Sequence, residues 1–199
     1  MKSNRVVTAF WLLISCLTLA GCWDAQELSD TSIVLGIAID AMGEEQQVTL
    51  ELCPADSGEA LILQAKGKNF EECVVKLQQL SEGALFWSGT SVLIYGDKAS
   101  ADQLNESGMY LYQSLGVSGK TPLLKVVNGQ AAQVLQGSFG NSPYVSMGLG
   151  DSLRLKRKKQ GPIRTLADQL ELAWGENVER PVASVTVDEH GAVSLCWAG

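Results

Sequence analysis

Apolar residues along the chain fall into short blocks whose spacing switches between two and about three and a half, and the switches mark the elements. Ile33 to Asp40 is an apolar run with β-branched residues, broken by Gly36, and Gln47 to Cys53 alternates Val48, Leu50 and Leu52 with polar neighbours. Both predict strands. Met42-Gly43-Glu44-Glu45 supplies the turn between them, so an antiparallel hairpin is expected. Pro54 ends the second strand, because it has no amide hydrogen to give a ladder. A short strand follows at Leu61 to Ala65. Asn69 and Glu72 then form a cap with a carboxylate at the third helical position, and Phe70, Cys73, Val74, Leu77 and Leu80 share one helical face ahead of Gly83.

Ser91 to Tyr95 reads as a buried strand, and Ser100 with Gln103 repeats the capping pattern before a helix carrying Leu104, Leu111, Tyr112 and Leu115. Pro122 precedes a strand-like Leu123 to Val127, and Gln130 to Leu135 predicts a short helix. Over Gly137 to Gly150, Gly, Ser, Asn and Pro dilute the apolar pattern, which predicts a linker or mobile loop. Beyond it, Thr165 and Asp168 cap a helix with Leu166, Leu170 and Ala173, and Val182 to Val187 with Ala192 to Trp197 form a second hairpin. The expected fold class is α+β: a mixed sheet with interleaved helices, followed by a small, incomplete helix-plus-hairpin unit. The expected division is 22–137 for the first domain, 138–160 for the linker and 161–199 for the partial second domain, after a leader at 1–21.

The leader is read from its own pattern. Lys2 and Arg5 precede an uncharged segment from Val6 to Leu19, a positive n-region and an h-region of secretory length. That segment is short for a membrane span. It closes on Leu19-Ala20-Gly21-Cys22, where two small residues suit a lipoprotein signal peptidase and the Cys22 thiol takes a diacylglyceryl group. The lipid bilayer is then the first partner, since two or three acyl chains anchor stably. An ordinary secretory signal with a chance cysteine is the plainer alternative.

Composition narrows the remaining chemistry. Apolar residues make up 46% of the chain, as in ordinary folded domains. The net charge is −7, and removing Lys2 and Arg5 with the leader makes it more acidic still, which disfavours nucleic acid and anionic lipid as partners of the body as a whole. Of five cysteines, Cys16 leaves with the leader and Cys22 is acylated; Cys53, Cys73 and Cys196 remain as an odd set. A Cys53–Cys73 bridge is open, with small buried thiols as the other reading. No cysteine has metal-ligand spacing, and the single histidine, His190, sits in the turn Asp188-Glu189-His190-Gly191. The carboxylates are scattered, so no catalytic residue, metal site or cofactor is assigned. Gly148-Leu149-Gly150 lacks the third glycine and the preceding strand of a dinucleotide loop.

Gly21-Cys22-Trp23-Asp24, with Glu27-Leu28 and the strand Gly36-Ile37-Ala38-Ile39-Asp40 behind them, resembles the Ger(x)C family, the lipoprotein C subunits of spore-germination receptors. The resemblance continues through Leu85-Phe86-Trp87-Ser88, the Val92 to Gly96 strand, the Leu166 to Leu172 helix and the Pro181 to Val187 strand. It implies a non-catalytic subunit at the outer face of the spore inner membrane, docked on membrane-embedded A- and B-type receptor subunits. The departures are Gly89, where the family often has histidine, Gln113-Ser114-Leu115-Gly116 in place of an Arg-Asp pair, and a large C-terminal α/β domain that would follow Trp197. A general extracytoplasmic solute-binding lipoprotein, with two α/β lobes, is the alternative.

Two further features have paired readings. Trp23 either rests in the headgroup layer or packs on the first strand. Arg154-Leu155-Lys156-Arg157-Lys158-Lys159 is either a solvated linker or a contact for anionic lipid.

Overall fold

The computed structural model describes residues 31–54 and 58–196. The leader and Leu19, Ala20, Gly21, Cys22, Trp23, Asp24, Glu27 and Leu28 lie outside the described residues, as does Trp197. Strand β1 (Thr31–Met42) and β2 (Glu45–Pro54) form the expected antiparallel hairpin, and β3 (Leu61–Gly67) adds to β2. Helix α1 (Phe70–Leu80) leads to β4 (Ala84–Phe86), which pairs in parallel with the first residues of β1. A single 3₁₀ turn, Trp87–Gly89, then places β5 (Val92–Tyr95) beside the rest of β1. Helix α2 (Ala101–Gln113), β6 (Leu123–Val126), α3 (Ala131–Leu135), α4 (Val145–Gln160), α5 (Leu166–Ala173), β7 (Ala183–Val187) and β8 (Val193–Cys196) follow. The fold is α+β, with one eight-stranded mixed sheet in the order β3-β2-β1-β5-β6-β7-β8 and β4 off that path against β1.

Helices cover both faces of the sheet. On one face α1, α2 and α5 bury Phe70, Leu77, Leu111, Leu166 and Leu170 against Ile37, Leu50, Leu93 and Leu123. Phe70 meets Tyr110 edge-on at 5.9 Å and ties α1 to α2. On the other, α3 and α4 bury Val134, Leu149 and Leu153 against Ala38, Ile94, Leu124 and Val185. Double coverage explains why β1 is buried without interruption from Val34 to Asp40.

The local start signals act where the sequence puts them. The Asn69 side chain accepts from the Glu72 amide, and Ser100 with Gln103 and Thr165 with Asp168 close capping boxes. The helix stripes need trimming: Leu80 and Tyr112 are about half exposed, at 57% and 48%, and Ala173 is exposed, because each lies at a helix end past its neighbour. Tyr110 takes the packing position instead.

Two boundaries change. Residues 138–160 hold no simple linker: Val145–Gln160 is helix α4, with Val145, Leu149 and Leu153 buried at four-residue spacing. Its glycines mark close approach. A Cβ at Gly148 would stand 2.8 Å from the Phe139 ring, and one at Gly150 would stand 3.2 Å from Ser91 Cβ. The expected partial domain at 161–199 joins the same sheet, because β7 pairs in parallel with β6 and β8 closes that edge. Two strands and a helix bury too little alone, and β6 would otherwise be an unpaired edge.

Candidate functional site

The second face of the sheet carries buried carboxylates where an apolar core is the rule. Asp40 ends the apolar part of β1 and is 2% exposed. Its two oxygens accept from the Ala131 and Ala132 amides at 2.6 and 2.9 Å, so it caps α3 from across the sheet. Gly96 makes room, since a Cβ there would overlap the Asp40 carboxylate. Glu51, on β2 and 1% exposed, does the same for α4, accepting from the Val145 and Ser146 amides at 2.7 Å each. Gly36 makes room for that helix, because a Cβ there would overlap the Ser146 hydroxyl. Glycine at 36 and aspartate at 40 are thus one device for seating α3 and α4 on β1.

Burial pushes the Asp40 carboxyl above its ordinary value of 3.8; the two amides pull it back, and the charge of Asp97 adds to the rise. Asp168 goes the other way. Burial raises it, but the Thr165 amide and hydroxyl and the Arg180 guanidinium outweigh that and hold it below 3.8. Arg180 Nη1 lies 2.6 Å from Asp168 Oδ1, which ties the segment before β7 to the cap of α5.

Two clefts sit at opposite edges of the sheet. The C-terminal ends of β1, β5 and β6 surround one of about 620 Å³, lined by Asp40, Met42, Asp97, Lys98, Asn128 and Gln130. Open α/β sheets bind ligands at such an edge. Here the one buried acid is committed to α3, and Asn128 turns the chain at φ 57°. The N-terminal ends of β5 and β6 border the second, of about 310 Å³, between α4 and the loop before β6. Lys120, Arg154 and Arg157 stand around it, with Leu153 and Ile163 in its wall.

Among the described residues the three cysteines are free: Cys73 buried, Cys53 half-buried and Cys196 exposed. Burial pushes the Cys73 thiol up to about 11, and it donates to the Gln46 carbonyl, so it behaves as a packed thiol. Cys53 Sγ lies 3.1 Å from the Tyr144 hydroxyl. His190 is exposed in its turn, where Asp188 accepts from the His190 and Ala192 amides. No group of three or more metal-ligating side chains occurs among the described residues. In the Leu85-Phe86-Trp87-Ser88 segment, Leu85 and Trp87 are buried and Phe86 is 50% exposed. A Cβ at Gly89 would overlap the Ile33 side chain, so a larger residue there requires that partly exposed side chain to move.

Asp40 was visible beforehand as the end of an apolar strand, although its task was not. Glu51 looked like any outward polar residue of an alternating strand. Its only signal is a carboxylate on a strand whose polar side faces a second layer of helices.

Residues 24–174 match the family described as spore germination protein N-terminal domain, which takes in every element from β1 to α5. No curated protein and no solved structure matches the chain.

Proposed function

The chain belongs to the spore germination protein N-terminal domain family, and from that premise we propose that it is a lipid-anchored, non-catalytic subunit of a nutrient-germinant receptor. The observation that carries the reading is adjacency: the family match begins at Asp24, two residues after the cysteine of Leu19-Ala20-Gly21-Cys22. The proposed attachment runs through acylated Cys22; among the described residues no helix is long and apolar enough to cross a membrane. The body then docks on membrane-embedded A- and B-type subunits at the outer face of the spore inner membrane. It helps them respond to small nutrients. The solute-binding alternative wants two lobes with a cleft between them, and the described strands form one sheet.

Cys22→Ser tests the anchor, because a hydroxyl cannot replace the thiol in the acyl transfer. The variant is expected to accumulate as unacylated precursor, and radiolabelled palmitate incorporation at the wild-type level would refute the anchor. Copurification of the wild-type chain with A- and B-type subunits from spore membranes tests the receptor role. Tight, saturable binding of one nutrient by the isolated chain would favour the solute-binding alternative.

A further inference from the structure

We propose that the N-terminal edge of the sheet, centred on the cationic end of α4, is a docking surface for an anionic phospholipid bilayer. The proposal rests on the reading of Cys22 as the anchored residue, and it adds a second, non-covalent contact that orients the domain.

Charge is the first support. The chain as a whole is at −7, yet Arg154, Arg157, Lys158 and Lys159 are all exposed along the last turns of α4, with Lys120 on the facing loop. Asp151 pairs with Arg154 at 3.2 Å between exposed side chains, and the other four have no ion pair among the described residues. Three of the α4 cations also lie at the helix C-terminus, where the peptide dipoles favour them. The cleft beside them has apolar walls and a cationic rim, which suits a phosphate-bearing headgroup above acyl carbons.

Position is the second. Strands β1, β5 and β6 run in parallel, so Thr31, Ser91 and Pro122 all stand at one edge, the edge from which the chain enters the sheet. Eight residues lie between Cys22 and Thr31, and connectivity alone keeps the anchor within roughly 30 Å of this edge. The opposite edge mixes exposed Asp97, Glu44 and Glu45 with Lys66, Lys68 and Lys98, so it offers an anionic surface no comparable excess of cations.

Apolar exposure is the third. Leu155 is 59% exposed among the cations, and Met147 is exposed on the same helix. Ile33 and Phe86 are exposed at the start of β1 and on β4, and by strand alternation from the buried Val34 and Leu85 they point to the α4 side of the sheet. Cations interspersed with exposed apolar side chains are the composition of a surface that lies in a bilayer interface.

The full chain is to be mixed with vesicles of phosphatidylcholine, or of phosphatidylcholine with roughly one-third phosphatidylglycerol, and acetylated by a water-soluble lysine reagent read by mass spectrometry. On anionic vesicles Lys120, Lys158 and Lys159 are expected to react about tenfold more slowly than on neutral ones, relative to Lys66, Lys68 and Lys98 at the opposite edge. High salt should erase the difference. Arg154→Gln with Arg157→Gln should cut the protection severalfold, with unchanged Lys98 reactivity reporting an intact fold. An unchanged rate ratio between the two vesicle types would overturn the dock, as would a chain that floats with neither. Flotation with neutral vesicles reads the anchor separately: protection on anionic vesicles by a chain that ignores neutral ones would keep the dock and remove the anchor.

Discussion

The two faces of the sheet are covered by helices in different ways. Under α1, α2 and α5 the contact with the sheet is mainly apolar: Phe70, Leu77, Leu111 and Leu166 are each at most 1% exposed, the Ser107 hydroxyl meets Tyr95, and the buried Asp168 caps its own helix rather than reaching one from a strand. Under α3 and α4 an apolar cluster that includes Val134, Leu135, Leu149 and Leu153 is joined by two buried carboxylates, which hold the first amides of both helices from β1 and β2. The first face is held by area removed from water, which tolerates small shifts. The second adds paired hydrogen bonds to carboxylates, each worth more than a neutral one and costly to leave half-made.

The largest expected effect is on the apolar face. Leu77→Asp puts a carboxylate with no partner into a fully buried position. The cost is several kcal/mol, comparable to a domain's whole stability. Circular dichroism and thermal melting should show an unfolded chain, and a wild-type melt would mean that the α1 stripe is not the core.

Glu51→Ala probes the other face. It strands the Val145 and Ser146 amides, and a loss of about 3 kcal/mol is expected. Hydrogen exchange should show the loss first in α4, with α1 amides still protected. Uniform loss across both helices would mean that the two faces do not differ in the way described. Glu51→Gln should fall between, because it offers one acceptor oxygen to two donors.

Gly36→Ala is a steric version of the same test. The added methyl overlaps Ser146 and approaches Leu135 to 3.1 Å, so about 1–3 kcal/mol should be lost. Ser146→Gly should recover most of it in a double-mutant cycle, and additivity of the two changes would show that α4 does not rest on Gly36.

The smallest effect is a slope with pH. Asp40 has a folded-state pKa above 3.8, so it holds its proton more tightly folded than unfolded. Its contribution to stability is therefore full below pH 3.8 and is lost as pH rises through the folded value. Asp168, with a lowered pKa, contributes above 3.8 and loses its share as pH falls through its own folded value. Denaturant unfolding from acid to neutral pH should show Asp40→Asn removing a downward slope and Asp168→Asn removing an upward one. Two variants with the same change of slope would contradict the assigned environments.

Much of the first face was legible along the chain because its signals are local. A cap and its partner are three residues apart at Asn69–Glu72, Ser100–Gln103 and Thr165–Asp168, and an amphipathic stripe repeats within one helix. The hairpin of β1 and β2 is equally local, with its turn at Gly43 in the left-handed region, φ 75°. Helix α4 was hidden because Gly148 and Gly150 read as breakers, whereas they face Phe139 and Ser91 at close range. The family signature was legible as residue types. The work of Gly36 and Asp40 within it was not.

By itself the sequence determined the element types, the helix starts, the acidic balance and the run that ends at Cys22. Each depends on neighbours a few positions apart, where the chain's own geometry brings groups together. Only the tertiary structure decided that β7 and β8 complete the first sheet, that Glu51 meets an amide 94 residues away, and that Asp40 meets one 91 residues away. Those pairings form between segments unremarkable on their own. Once two layers of helices exclude water from the sheet, a carboxylate and a free helix amide have no other partners. The same folding gathers Lys120 with Arg154 and Arg157 at one edge, a juxtaposition with no counterpart in their spacing along the chain.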